Sequence, residues 1–383
     1  MLLLGVPFHV SEIYRLSGGA LVESPERSFT ATLLGCVVHV FRMPAFFLLA
    51  GFFASMLLAR TTGREWLADR CLRLGVPLVF TTLAFGWLEV SMARAHREGI
   101  ELSRAVLLTW QTDPFGWTHH RWFLFVLLLY CLTAVVVRRY AAGSGAFARG
   151  SARCLLSSTQ GKRGTLLFAL ALIALPFGIA GVGGLSGSAG VGLDGEPAYE
   201  NFYLHYAVFF GYGYALQHLD GSIDRLIAFS FTERLLAGLS IAVYVLTYDR
   251  FYTGTALSSG GTWGTILQLV RIGVALIAGF YASRLFFLGA RRYLDVRGPI
   301  IARLVEGSLC IYLVHEVFVL GFGIGFATLS FPPMIEFTLI VIATLAASIG
   351  TFELVRRSRW LSLLVNGRRL GKPRDARESG GMT

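Results

Sequence analysis

Charged residues are scarce in this chain, 15% of 383 residues, while apolar ones make up 55%; soluble domains carry about 25% and roughly 45 to 50%. That shortage excludes the two or three soluble domains the length would otherwise suggest at about 150 residues each. It leaves a polytopic membrane protein. Cysteine is sparse as well: Cys36, Cys71, Cys131, Cys154 and Cys310 form no C-x-x-C pair, which argues against a disulfide framework and a thiolate metal site. No basic residue precedes the first apolar run, Arg15 being the first, so no secretory signal peptide is visible. The net charge of +11 comes without a basic patch interleaved with stacking aromatics on a soluble module, so no nucleic-acid partner is expected. There is no internal repeat and no separate soluble domain.

What is present is a series of apolar runs. Crossing a hydrocarbon core of ~30 Å takes ~20 mostly apolar residues, and ten such runs occur, at roughly 1–17, 32–58, 72–92, 121–137, 165–183, 202–218, 226–246, 265–288, 303–326 and 335–355. The expected fold is therefore an all-α bundle of about ten transmembrane helices, spanning 1–365, with a polar, disordered tail over 366–383. Arg and Lys fall unevenly on alternate sides, 23 against seven with four inside the runs, which the positive-inside rule reads as both termini in the cytoplasm. The first run is short and begins abruptly on Met1, as expected of a helix lacking its first turns. The connections 184–201 and 247–264, rich in Gly, Ser and Thr, read as outer loops. The stretch 93–120 mixes charged and apolar residues in the manner of an interfacial helix.

Ionisable side chains inside such runs cost several kcal/mol and are functional candidates until a structural reason is found. His9 lies about 12 Å from the outer face, and His39 and Arg42, at i, i+3, lie about 10 and 15 Å deep. His315 and Glu316 sit about 18 Å from the inner end of the ninth run. These five share one depth band, so at least one histidine is expected to do chemistry, although a buried His also serves as an interhelical hydrogen-bonder. His96, His119, His120, His205 and His218 fall near run ends, where interfacial packing is the default; His119 and His120 draw notice because Arg121 and Trp122 follow. No two histidines stand at i, i+4 on one helix, so no metal is expected. At the opposite face, Arg70 and Arg73 put two guanidinium forks on one side of a helix, suited to phosphate oxygens or simply to anchoring at the inner interface.

The second run reads His39-Val-Phe-Arg-Met-Pro-Ala-Phe-Phe-Leu-Leu-Ala-Gly-Phe-Phe53. Around it stand Met1-Leu-Leu-Leu-Gly-Val-Pro-Phe-His9, Arg70-Cys-Leu-Arg-Leu-Gly-Val-Pro77, Trp122-Phe-Leu124 and Ser308-Leu-Cys-Ile-Tyr-Leu-Val-His315. In order and spacing these resemble the acyltransferase 3 family of membrane acyltransferases, and within it the glucan-modifying group. The resemblance implies transfer of an acyl group, acetyl or succinyl, from cytoplasmic acyl-coenzyme A to a hydroxyl of an extracytoplasmic carbohydrate, with no metal, in the bacterial inner membrane. By the same resemblance His9 matches the family's catalytic histidine and Arg70 with Arg73 its coenzyme A motif, while His39, Arg42 and Trp122 are expected to bind substrate. The family's arginine eleven positions before that histidine would precede Met1, which implies either a start placed upstream, the favoured reading, or a truncated and inactive copy. Glu316 stands where the glucan group often has another histidine.

An alcohol near pKa 15 needs a base to attack a thioester, and a neutral imidazole supplies one. His9 is the expected base, with His315 or Glu316 orienting it or binding the acceptor; an acyl-histidine is the second route. Arg42 suits the oxyanion or the carboxylate of a dicarboxylic acyl group. The rival reading is a transporter or proton-coupled carrier, which would show repeat symmetry and paired broken helices, with Pro44 and Pro176 as its breaks. A scaffold without chemistry fits poorly with charges at midplane. Membrane lipid and the carbohydrate are the expected partners, and a homo-oligomer is left open.

Overall fold

In the computed structural model, residues 1–18, 20–112, 120–140, 162–185, 199–218, 221–253, 262–294, 296, 298–327, 329 and 331–368 are described. Every regular element among them is helical. A 3₁₀ turn over Leu2–Leu4 leads into α1 (Gly5–Ile13), followed by α2 (Phe29–Leu58), α3 (Gly63–Glu98), α4 (Leu102–Thr112) and α5 (Trp122–Tyr140). Then come α6 (Lys162–Leu185), α7 (Tyr199–Leu216), the short α8 (Ser222–Ile227), α9 (Phe231–Thr253), α10 (Thr262–Tyr293), α11 (Pro299–Phe326), α12 (Pro333–Val355) and α13 (Arg359–Asn366). Each of the ten apolar runs falls largely on helix, the first ending at Ile13 and the seventh broken between Ile227 and Phe231. Among the described residues six helices are long and apolar enough to cross a membrane, namely α2, α3, α5, most of α10, α11 and α12, while α1 and the apolar part of α6 are shorter.

Local chemistry sets the ends. The Ser28 side chain caps α2 by accepting from the Ala31 amide, and Thr62 with Glu65 forms a capping box at the start of α3, each answering amides that a helix start leaves open. Two π turns, Cys71–Gly75 and Thr82–Gly86, interrupt α3. Gly99, in the left-handed region at φ 63°, turns the chain from α3 into α4. Thus 93–120 is no single interfacial helix: it is the end of α3, a turn and α4, with 113–119 outside the described residues. The connection expected over 247–264 is helical as far as Thr253 and again from Thr262. Its remainder, most of 184–201, His119, Cys154 and the tail beyond Arg368 lie outside the described residues. Pro44 and Pro176 both sit inside continuous helices, so neither breaks a span.

The core runs along α2. Gly51 of α2 lies against the Phe210 carbonyl of α7, and Gly213 of α7 against the Leu48 carbonyl of α2, so a Cβ at either would meet backbone. Small residues allow this closeness between membrane helices. Phe47 at this crossing is fully buried and packs on Tyr130 of α5 and Tyr206 of α7. Large apolar side chains such as Leu246, Phe231 and Trp263 are exposed, as expected where lipid, not water, is the neighbour. At the Arg70 end, α13 packs against α3, with Gly367 directly over the Arg73 backbone.

Candidate active site

Helix α1 wedges between α2, α11 and α12 because its residues allow it. Gly5 faces the Tyr312 ring of α11 and the Arg42 guanidinium of α2, where a side chain would not fit. Just past the end of α1, Tyr14 donates to Glu336 of α12 at 3.0 Å, and the chain folds back over the end of α1, held by Ser24 and Ser28 amides donating to the Ile13 and Tyr14 carbonyls. Arg15, buried, pairs with Glu12 and donates to the Gly18 carbonyl. This wedge carries His9 into the bundle.

His9 Nδ1 stands 3.3 Å from Glu316 Oε2 on α11. The adjacent His315 is fully buried and directs Nε2 toward the same oxygen at 3.7 Å. Its Nδ1 is held by the Tyr312 carbonyl one turn earlier; a carbonyl only accepts, so Nδ1 carries the proton and Nε2 presents its lone pair. His120, in the turn leading into α5, completes the group, its ring 5.0 Å from that of His315 and 5.8 Å from that of His9. Tyr312 donates to the His120 carbonyl at 3.0 Å, which fastens that turn to α11. A cavity of about 180 Å³ opens beside them, walled by His9, Glu12, His120, Glu316 and the returning segment at Leu21 and Val22.

Behind His120 lies an ion pair that the sequence reading did not single out. Arg121 grips Glu89 of α3 through two nitrogens, at 3.0 and 2.5 Å, with both side chains fully buried, and His120 Nδ1 is 3.9 Å from the same carboxylate. Arg121, which counts among the seven positive charges on the outer side, is fully buried inside the protein. Glu89 was discoverable by the rule that found Glu316, since it too is a carboxylate within an apolar run.

The other expected residues divide. Arg42 is 6% exposed, with its guanidinium 4.3 Å from the centre of the Phe8 ring. Its Nε and Nη1 are buried without a hydrogen-bond partner. Arg284, also inside a span, shows the contrast: it pairs with Glu233 at 2.5 Å and donates to the Leu226 and Ala228 carbonyls. His39 stacks on Phe8 at 5.0 Å and faces Tyr248 at 6.0 Å, so it lies beside Arg42 and not among the three clustered histidines. Trp122 stacks on Tyr206 at 5.5 Å and does not line the cavity. Arg70 and Arg73 converge on the two oxygens of Asp69, at 3.0 and 2.8 Å, and Arg73 is more than half exposed. Glu89 follows Arg70 by 19 positions along α3, about 28 Å at ~1.5 Å per residue, so the cation pair and the histidine cluster occupy opposite ends of the bundle.

A bundle of membrane-spanning helices that closes on a buried imidazole and carboxylate beside a small cavity is the architecture of an integral membrane enzyme. Residues 2–353 match the acyltransferase domain of the acyltransferase 3 family, and the chain belongs to that family. It is similar to glucans biosynthesis protein C of Escherichia coli O81 strain ED1a, 25% identical over 336 residues, which cover 84% of this chain and 80% of that protein. The protein of the same name from E. coli strain K12 is 25% identical over 339 residues, with the same shares covered. No solved structure matches the chain. With bacterial relatives and apolar spanning helices, where outer-membrane proteins are β-barrels, the chain is an acyltransferase of the bacterial inner membrane.

Proposed function

We propose that the protein transfers an acetyl or succinyl group from acyl-coenzyme A, bound at the Arg70 end, to a hydroxyl of a carbohydrate at the His9 end, the carbohydrate being a glucan as the relatives' name suggests. Ten crossings with both termini cytoplasmic are part of this reading, and they set the two ends on opposite sides of the membrane. The observation that carries it is the meeting of His9 with Glu316 at the cavity wall. His9 takes the proton of the acceptor hydroxyl as the oxygen attacks the thioester carbonyl. Glu316, at Nδ1, orients the ring and balances the imidazolium. The tetrahedral oxyanion collapses, the carbon–sulfur bond breaks, and the departing thiolate recovers the proton from His9. The open Nε and Nη1 of Arg42 suit either that oxyanion or the distal carboxylate of a succinyl group.

The test is coenzyme A release from acetyl- and succinyl-coenzyme A by the purified protein in detergent with a glucan acceptor. His9→Ala should lower transfer by about 10² to 10⁴-fold, the usual loss for a general base. Retention of more than about a tenth of the rate by a folded His9→Ala protein would remove His9 from this role. Activity that required a sealed membrane would favour the carrier instead.

A further inference from the structure

We propose that His9, His315 and Glu316 form a binding site for a divalent transition-metal ion of the zinc type, and that the ion inhibits transfer by occupying the base. The inhibition rests on the role given to His9 above; the binding does not.

One ligand atom from each of the three residues lies within 4.8 Å of the others, and the two approaches to Glu316 Oε2 are 3.3 and 3.7 Å. A tetrahedral zinc with bonds of about 2.0 to 2.2 Å sets its ligand atoms about 3.4 Å apart, so small side-chain rotations complete the set. Two histidines and one carboxylate leave the fourth position to water, and the adjoining cavity supplies room for it. The electrostatics point the same way. His315 Nε2 is buried without a hydrogen-bond partner and faces Glu316 Oε2 at 3.7 Å, and a lone pair facing a carboxylate oxygen is relieved by a cation between them. His315 is already oriented for the purpose, its other nitrogen held by the Tyr312 carbonyl, the outer-sphere contact that fixes metal-binding imidazoles. Imidazole nitrogen selects zinc, cobalt or nickel over magnesium and calcium. Nearby charges moderate the affinity: Glu89 answers Arg121 and Arg15 answers Glu12, but Arg42 stands close enough to oppose a dication, so an exchangeable ion is expected, not a permanent one.

The purified chain in detergent would be titrated with Co²⁺ alone, without substrates. One equivalent should give the visible bands of a four- or five-coordinate site, and Zn²⁺ should abolish them. Glu316→Gln and His315→Ala should each weaken binding by at least about tenfold, whereas His218→Ala, a histidine held by Ser55 and the Tyr214 carbonyl elsewhere, should leave it unchanged. Should either cluster variant fail to fold, wild-type protein still decides: Zn²⁺ should protect His9 from diethyl pyrocarbonate and leave the exposed His96 reactive. Absence of the cobalt spectrum, or a spectrum indifferent to both cluster variants, or unprotected His9, overturns the site. Transfer activity separates the two readings. Cobalt binding by a protein that transfers nothing upholds the metal site and sinks the acyltransfer scheme, while transfer insensitive to Zn²⁺ overturns the inhibition.

Discussion

Replacing Glu316 by Gln removes one charge from the site while keeping the side chain's size and its place on α11. In the ground state the loss is small, because neutral His9 still finds an oxygen at 3.3 Å. In the transition state His9 becomes an imidazolium, and its Nδ1–H then lacks an anionic acceptor in surroundings with little water. A hydrogen bond to a charged group contributes about 1.5 to 3 kcal/mol, which corresponds to about 10 to 150-fold in rate. The 3.3 Å separation is longer than usual for such a bond, so the lower part of that range is expected. Because the interaction strengthens only as the proton moves, kcat should carry the loss and KM should stay nearly fixed. The assay is the initial rate of coenzyme A release across acceptor concentrations, with size-exclusion chromatography to confirm folding. A drop below about threefold, or a rise in KM with kcat intact, would show that Glu316 does not act through His9.

Three further outcomes follow from the packing. Arg121→Met leaves Glu89 buried and unanswered, a loss of about 3 to 5 kcal/mol for a broken buried pair, so thermal unfolding in detergent should shift down strongly, and Glu89→Gln combined with it should recover part of the loss. Arg70→Ala with Arg73→Ala should raise KM for acyl-coenzyme A by roughly tenfold or more, since two charge-assisted contacts are removed, and leave kcat within about threefold; an unchanged KM would place the coenzyme elsewhere. Gly213→Val drives a side chain into the Leu48 carbonyl, at the upper end of overpacking losses, about 3 kcal/mol, and should abolish monodisperse protein, whereas Gly238→Ala, which meets nothing, should express normally.

Helix positions were legible because length and hydrophobicity alone define a span, and each of the ten runs falls largely on helix. What each helix touches was not. Spans such as α2 and α11 are apolar nearly all round, so no polar stripe marks the face turned to protein. In the site, His9, His315 and Glu316 stood out as ionisable groups in apolar surroundings, and the structure joins them. Glu89 passed unnoticed within the third run although it satisfied the same rule. His120 drew notice only for its neighbours, and neither it nor Arg121 could be placed, because they sit at a helix start, where sequence cannot distinguish an interfacial residue from one folded inward. Spacing within one helix could not show that His9 and His315 would meet, because they come from α1 and α11, whose approach depends on a glycine at position 5 and not on any i, i+4 pattern.

The Glu89 and Arg121 pair also constrains how the protein is made. When α3 leaves the insertion machinery it carries a carboxylate, and a charge released into lipid costs several kcal/mol. Its counter-charge is synthesised 32 residues later, after the turn at Gly99 and the whole of α4. Helix α3 is therefore not a finished membrane segment until α5 has begun to enter beside it. The three helices are thus expected to settle as one unit, and a chain ending between Gly99 and Arg121 would leave Glu89 without its counter-charge.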